Sequence, residues 1–205
     1  MLQSGLFLGI EHGFRFATEP DTRHQLRGPF VMDYLHSLKG GTPHWGDTDP
    51  FLVNYVGHPM QGAVTGFIWT QNHPVESRLE FANTPQYWRS RLKSMGWSAL
   101  YSTQFELGPV SEASLGNLGS PMVPRTMGVV DLVMTPLGGF GFQVAEDMLD
   151  RFAVRWVEDK IPSRPVIILA RGFLNPARSF ANCLRFRTPW HRDSRPGVNE
   201  LTSRN

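Results

Sequence analysis

Three side chains that could carry chemistry, His58, Glu106 and Asp131, lie far apart in the sequence but in similar surroundings. Each belongs to a row of polar residues spaced for one face of a helix, with small residues beside it. A histidine and two carboxylates can bind a divalent cation or support general acid–base catalysis. They can also hydrogen-bond backbone groups that nearby prolines leave free, and the absence of an HExxH or other complete catalytic motif favours this structural role.

The stretch around His58 is the longest part of the chain without Asp, Glu, Lys or Arg, with 26 residues between Asp49 and Glu76. Asp49 is a candidate N-cap, and Pro50 suits the first position of a helix. Pro59 either kinks this helix or begins a new one with His58 at its mouth, and both alternatives stay open. One face of the predicted helix carries Asn54, His58, Gln61 and Thr65.

Two later predicted helices supply the carboxylates. The first runs from about Pro85 to Leu107 behind a Thr84 N-cap. The second covers about 129–158, and Pro136 is expected to break it. Polar residues four apart on the first helix are Ser94, Ser98, Ser102 and Glu106. Further acidic residues that could join the cluster are Glu112, Glu146, Asp147 and Asp150.

Small residues mark where these helices can approach each other. Gly62 and Gly66 are four apart, and the third helix has Gly138, Gly139 and Gly141. Such spacing lets a neighbouring backbone come close. It also explains the glycines better than a dinucleotide-binding fingerprint does, since no convincing strand precedes them.

The remaining segments complete a mainly α fold, a compact bundle of about five to seven helices with proline- or glycine-broken central helices. Further helices are expected over 2–17, over 22–38 with a break at Gly28-Pro29, and from Pro176. Residues 108–127 are expected to form a long irregular loop, and 166–169 a short extended segment. We predict one domain, 1–192, followed by a disordered tail, 193–205.

Charge is distributed unevenly along the chain. Residues 1–160 hold 12 Lys and Arg against 16 Asp and Glu, whereas 161–205 hold eight Arg against Asp193 and Glu200. The basic region 161–192 is predicted to contact an anionic membrane surface or a partner protein, with a solvated surface as the alternative. Without a known nucleic-acid module, no nucleic-acid partner is expected. The contacting residues would be Arg171, Arg178, Arg185, Arg187 and Trp190.

Several functions find no support in the residues. The single Cys183 excludes an internal disulfide and a thiolate-rich zinc site, and it is expected to pack rather than react. Ser111 and Ser114 lie in no GxSxG context. No standard signal peptide is visible at the N-terminus, and no cofactor is predicted.

Residues 50–71 are long enough to cross a bilayer, and residues 127–145 are nearly so. His, Asn, Gln and Pro residues occupy the centre of the first, and mean hydropathy is below zero at −0.26. Broken helices of this kind occur where protein shields irregular backbone at membrane depth. We therefore expect a compact, membrane-associated domain, with a fully soluble bundle as the alternative.

Three motifs in order resemble an uncharacterised bacterial family known only as a domain of unknown function. They are NYVGHPMQGA, SALYSTQFELGPVSEASLGN, and GVVDLVMTPLGG with VAEDMLDR. The similarity covers about residues 45–160. It implies a helical fold and an exported or envelope-associated protein of Gram-negative bacteria, but no activity and no catalytic residues.

Two hypotheses follow from the sequence. The first is a non-catalytic, membrane-associated envelope protein that acts as a structural or interaction partner. The second is a hydrolase or transferase that acts on a lipid or envelope precursor, with His58 as base or ligand and Glu106 and Asp131 as orienting or metal-binding carboxylates. Convergence of these three side chains beside an open cavity would favour the enzyme, and convergence in a closed core would favour a structural role.

Overall fold

The computed structural model describes residues 2–40, 44–47, 49–115 and 128–202. These residues are mainly helical and contain no strand, which confirms the predicted fold class. An isolated parallel β-bridge joins His44 to Gly128. In chain order the helices are α1 (Leu2–Thr18), α2 (Pro20–Gln25), α3 (Phe30–Gly40), α4 (His58–Gln71), α5 (Pro85–Leu107), α6 (Glu112–Leu115), α7 (Val129–Leu149), α8 (Arg155–Lys160), α9 (Arg164–Phe173), α10 (Pro176–Leu184) and α11 (Val198–Thr202).

The helix around Pro59 is widened rather than broken. A π-helical turn, Val53–Gly57, leads directly into α4, and both Gly57 and His58 keep helical backbone angles. A proline ring collides with the carbonyl four residues earlier, here that of Tyr55, in an ordinary α-helix. The wider π-helical turn, which includes Tyr55, makes room for the proline ring. The helix is therefore not interrupted before Pro59, and His58 stands at the start of α4.

Helices α4 and α7 cross at their glycines, as the spacing predicts. A Cβ atom added to Gly62 would lie 1.7 Å from the Thr135 carbonyl oxygen, and one added to Gly139 would lie 2.6 Å from the Cα of Gly62. Only residues without a side chain permit this approach. Gly141 takes no part, because the space around it is open.

Helix α5 lays its serine row against α7. Ser94 Oγ donates to Oε1 of Gln143 at 2.6 Å, and Ser102 Oγ donates to the backbone carbonyl of Asp131 at 3.3 Å. Ser98 Oγ lies 3.5 Å from the Thr135 carbonyl oxygen. These small serine side chains let α5 and α7 lie close together, and their hydroxyls hydrogen-bond polar groups of α7. We call this contact between the two helices the polar seam.

The expected break at Pro136 is wrong, because α7 remains α-helical from Val129 to Leu149 with the proline inside it. A π-helical turn occurs further on, at Asp150–Val154, and leads into α8. Packing against α4 accompanies this continuity, since Thr135 and Gly139 lie directly against its backbone. Tertiary contact therefore outweighs the local preference of proline.

An apolar core lies on the other side of α4, where α1, α5 and α10 meet. Its buried members are Phe7, Ala63, Val64, Phe67, Ile68, Tyr101, Phe105, Ala177, Ala181 and Leu184. Helix α4 is thus covered on both sides, by apolar groups on one and by the polar seam on the other. This explains why it is buried almost completely despite its polar residues.

Two predictions for the C-terminal region are wrong. Residues 166–169 are not extended but belong to α9, whose apolar residues recur at helical spacing and bury Ile167. The predicted disorder does not apply to 193–202, since α11 forms there, Val198 is buried and Arg195 pairs with Asp150 and Glu158. Residues 203–205 lie outside the described part of the chain.

Candidate functional site

His58, Glu106 and Asp131 meet in one cluster. One donor atom from each side chain lies within 4.8 Å of the others. His58 comes from the first turn of α4, Glu106 from the last turn of α5, and Asp131 from the first turn of α7. All three are buried, with 8%, 2% and 5% of their surface exposed, respectively. Each of the three polar faces predicted from the sequence therefore contributes one residue to the same cluster.

Both ring nitrogens of His58 are directed at α7. Nδ1 lies 3.2 Å from the hydroxyl oxygen of Thr135, and Nε2 lies 3.2 Å from Oδ1 of Asp131. The second pair is close but not aligned as a hydrogen bond, so this buried Oδ1 has no hydrogen-bond partner among the described residues. Burial lowers the pKa of His58, which favours the neutral imidazole that a cation requires.

A short segment before the π turn adds a further carboxylate. The amides of Val129 and Val130 donate to the carbonyls of His44 and Trp45, both at 2.9 Å, and so fix this segment at the start of α7. Asp47 on the same segment accepts a hydrogen bond of 2.6 Å from Asn54.

The carboxyl groups of Asp47 and Asp131 interact through a hydrogen bond. Burial, followed by the hydrogen bond to Asp47, raises the pKa of Asp131 to about 9. The pKa of Asp47 is lowered even though burial opposes this, because the carboxyl of Asp131 and the amide of Asn54 donate to it. Two carboxyl groups this close resist carrying two negative charges, which accounts for the opposite directions of their pKa shifts.

Glu106 experiences the same excess of negative charge. Burial, with the nearby charges of Glu112 and Asp131, raises its pKa well above the ordinary value, and Arg15 partly offsets this. Arg15 forms an ion pair with Glu112 and lies 3.2 Å from Glu19. Arg15 therefore supplies one positive charge to several carboxyl groups. A bound divalent cation would offset more of their negative charge.

The three side chains offer the type of donor set that holds a divalent metal ion. Imidazole nitrogen and carboxylate oxygen are ligands for zinc and other divalent transition metals. Three protein ligands leave at least one coordination position for water or substrate, which is typical of catalytic centres. The contact between Thr135 and Nδ1 would orient the ring from outside the coordination sphere, as the partners of metal-bound histidines usually do.

A cavity lies beside α4, but none of the three cluster residues lines it. It has a volume of about 400 Å³ and is lined mainly by apolar side chains of α1, α4 and α10. Gln61, one turn after His58, forms part of its wall together with Glu11 of α1. Nε2 of Gln61 donates to Glu11 at 3.0 Å, and the hydroxyl of Tyr101 donates to the same carboxylate at 2.6 Å.

Of the four additional acidic residues, only Glu112 belongs to the cluster. Glu146 accepts hydrogen bonds from the amides of Ala177 and Arg178, at 2.8 and 3.0 Å, and so caps α10. Asp147 binds Arg178 as well as Tyr87 and Arg91, and Asp150 binds Arg192 and Arg195. These three side chains form a separate set of hydrogen bonds and ion pairs that joins α7 and the π turn after it to the C-terminal region.

The predicted contact residues of the C-terminal region are mostly turned inward. Arg171 is 1% exposed and donates to Glu158 at 2.7 Å, while Arg178 is engaged by Asp147. Arg185 donates to Asp193 at 2.7 Å, and Trp190 is half-buried. Among the five, Arg187 alone is exposed. Arg171, Arg178 and Arg185 therefore pair with carboxylates of the protein itself.

Other sequence expectations concern the segment after α5. Ser111 and Ser114 bond reciprocally, each hydroxyl oxygen accepting from the other residue's amide, and so cap α6. The rest of the predicted loop, 116–127, lies outside the described residues. Cys183 is exposed, so the expectation that it packs in an apolar environment is wrong.

The sequence did not single out Asp47, Arg15 or Glu11. Asp47 follows a glycine in a stretch with ordinary loop composition, and the other two stand on a helix whose apolar spacing is its only clear signal. The one available hint is the position of Glu11 and Arg15 four residues apart on α1. Thr135 was placed on the same face as Asp131, but its contact with His58 depends on how α4 and α7 cross.

Comparison of the chain with protein-family models, curated protein sequences and solved structures finds no match. The bacterial family suggested by the three motifs therefore stays a prediction. None of the helices in the described parts of the chain combines enough length with enough apolar character to span a membrane.

Proposed function

We propose that this protein is a metal-dependent hydrolase in which His58, Glu106 and Asp131 hold a divalent cation. The cation would lower the pKa of a bound water, and the resulting hydroxide would add to an electrophilic carbon or phosphorus of the substrate. Asp47, beside the ligand Asp131, would accept the proton of that water and return it to the leaving group. The substrate class carried over from the sequence hypothesis is a lipid or an envelope precursor.

The convergence of three donor groups from three helices is the observation that carries this proposal. The alternative, a purely structural polar network, requires buried polar atoms to be hydrogen-bonded to each other. Oδ1 of Asp131 is buried and has no such partner among the described residues, although Nε2 of His58 is only 3.2 Å away. A cation between these two atoms and Glu106 would satisfy all three.

Metal binding tests the proposal directly. The purified protein is treated with a chelator and then titrated with Zn²⁺, Mn²⁺ or Mg²⁺ while its Tm and bound metal are measured. We expect one of these cations to bind near one equivalent and raise the Tm, since ligands stabilise the state that binds them. Glu106→Gln and Asp131→Asn should abolish both effects, whereas Glu146→Gln, a buried carboxylate outside the cluster, should retain them. Binding that survives Glu106→Gln and Asp131→Asn, or no binding of any cation, contradicts the proposal.

A second candidate is association with a membrane surface or a protein partner of the cell envelope. It is favoured by an exposed apolar row on α1, formed by Leu2, Leu6, Ile10 and Phe14. Exposed apolar surface of this kind marks interaction sites. Flotation with phospholipid vesicles tests it: binding should persist at high salt, because the arginines are internally paired. Phe14→Ser should weaken it, and the absence of flotation on any vesicle would remove the membrane as the partner.

A further inference from the structure

The turn that ends α10 has an unusual residue at its most restricted position. The amide of Phe186 donates to the carbonyl of Cys183 at 2.9 Å, and the amide of Arg187 donates to that of Asn182 at 3.0 Å. These two hydrogen bonds define a Schellman motif, in which the residue after the helix cap is left-handed and usually glycine. Phe186 holds that position with a φ of 58°, and it is the one non-glycine residue with positive φ in the described parts of the chain.

Burial does not offset the strain at Phe186. In the left-handed conformation a β-carbon lies too close to the backbone, and a bulky residue there is an outlier. The side chain is nevertheless 89% exposed, so it contributes almost nothing to the apolar core. Strained backbone of this kind is typical of residues that contact a ligand or a partner rather than of residues that stabilise the fold.

A second exposed apolar group lies at the same end of α4. Leu2, the first member of the exposed apolar row of α1, is 86% exposed. Its neighbour Gln3 accepts a hydrogen bond of 3.2 Å from Asn72, directly after α4. Asn182, near the end of α10, accepts one of 3.1 Å from Gln71, the last residue of α4. The start of the α1 row and the strained turn of α10 are therefore both held at this end of α4.

The charge beside Phe186 is positive and unpaired. Arg187 is exposed and forms no ion pair with any residue that the structure describes. Residues 161–192 contain no Asp or Glu, and Asp193, which follows them, is engaged by Arg185. An aromatic ring next to an unpaired guanidinium suits the surface of an anionic membrane, because the ring can enter the apolar layer while the cation stays with the headgroups.

We infer that Phe186 and Arg187 form a contact point for anionic phospholipid, in addition to the apolar row of α1. A lipid layer needs no complementary shape, so side chains from two separate helices can enter it together. The inference rests on the second candidate function, membrane association, and deepens it by naming the class of lipid. It is independent of the metal proposal.

Phe186→Gly separates a contact role from a structural role, because it should change two quantities in opposite directions. Glycine relieves the backbone strain, so the Tm should rise by about 1–4 °C. Loss of the ring should weaken flotation with vesicles that contain phosphatidylglycerol at least about fivefold. The control is Phe152→Ser. Phe152 is 61% exposed on the π turn after α7, and its substitution should leave flotation unchanged.

Arg187→Gln tests the class of lipid. The original protein should bind vesicles with phosphatidylglycerol about fivefold more tightly than vesicles of phosphatidylcholine alone, the effect of one basic residue near an anionic surface. The variant should lose this preference and keep the affinity for phosphatidylcholine. High salt should likewise remove the preference, since it screens the charge but not the apolar contact.

The inference is overturned if Phe186→Gly binds vesicles like the original protein or has a lower Tm. It is also overturned if the original protein binds both lipid compositions equally. In these cases a loss of flotation with Phe14→Ser would leave the second candidate function standing by itself. If the original protein floats with no vesicle, both fail for the membrane, and a higher Tm of Phe186→Gly would then point to a protein partner at the same turn.

Discussion

Gly62 and Gly139 touch through their backbones, and this contact determines how closely α4 and α7 approach. A Cβ on Gly139 would lie 2.6 Å from the Cα of Gly62. His58 precedes this crossing by one turn on α4, and Asp131 precedes it by two turns on α7. The distance between His58 and Asp131 therefore depends on two glycines that lie outside the cluster.

The first prediction concerns this crossing. Gly62→Ala would place a methyl group 1.7 Å from the Thr135 carbonyl oxygen, and neither backbone can move without separating the helices. We expect a loss of at least roughly 3 kcal/mol in the free energy of unfolding, measured with urea. Gly141→Ala is the control: its Cβ meets open space, so helix propensity should stabilise the protein by about 0.5–1 kcal/mol. Equal effects of the two variants would contradict the packing argument.

A second prediction concerns the orientation of His58. Thr135→Val removes the hydroxyl that contacts Nδ1 but keeps the shape of the side chain. We expect the affinity for the cation to fall about 10- to 100-fold, because the ring loses the partner that orients it. Thr103→Val, on the exposed face of α5, should leave the affinity unchanged. The prediction fails if calorimetry gives Thr135→Val the affinity of the original protein.

The third prediction is a pH dependence from Glu146. Burial raises its pKa from 4.5 to about 7, although the amides of Arg178 and Ala177 oppose the shift. The folded state therefore binds a proton more tightly than the unfolded state, and the associated stability is complete below pH 4.5 and lost as pH rises to about 7. Relative to Glu146→Gln, the original protein should lose up to about 3 kcal/mol across this window. Urea unfolding at several pH values measures the difference, and a constant difference would refute it.

The fourth prediction separates buried from exposed arginines. Arg171→Met leaves Glu158 buried without its principal partner, and breaking a buried pair typically costs about 3–5 kcal/mol. Arg187→Met, at an exposed position, should change stability by less than about 0.5 kcal/mol. Thermal unfolding of both variants provides the measurement. Similar stabilities would mean that Arg171 does not act as a structural residue.

Much of the local structure could be predicted because its signals are local. Thr84 and Pro85 mark the start of α5, and Gly108-Pro109 follows its end. Caps and breakers act on adjacent backbone groups, so they are readable without the rest of the fold. Proline was the exception, since its consequence depends on what packs around it. Pro59 is accommodated in a π turn and Pro136 in an unbroken helix.

The candidate site likewise combines features that the sequence predicts with features that only the tertiary structure decides. Helical spacing alone placed His58, Glu106 and Asp131 on polar faces, because side-chain direction repeats every 3.6 residues. Their meeting point, and the addition of Asp47 from a distant segment, required the crossing of α4, α5 and α7. The inward direction of Arg171 was likewise unpredictable, since its partner Glu158 lies on another helix. Sequence periodicity thus determined which residues face together, whereas tertiary packing decided which faces meet, because contacts between distant segments leave no regular spacing in the chain.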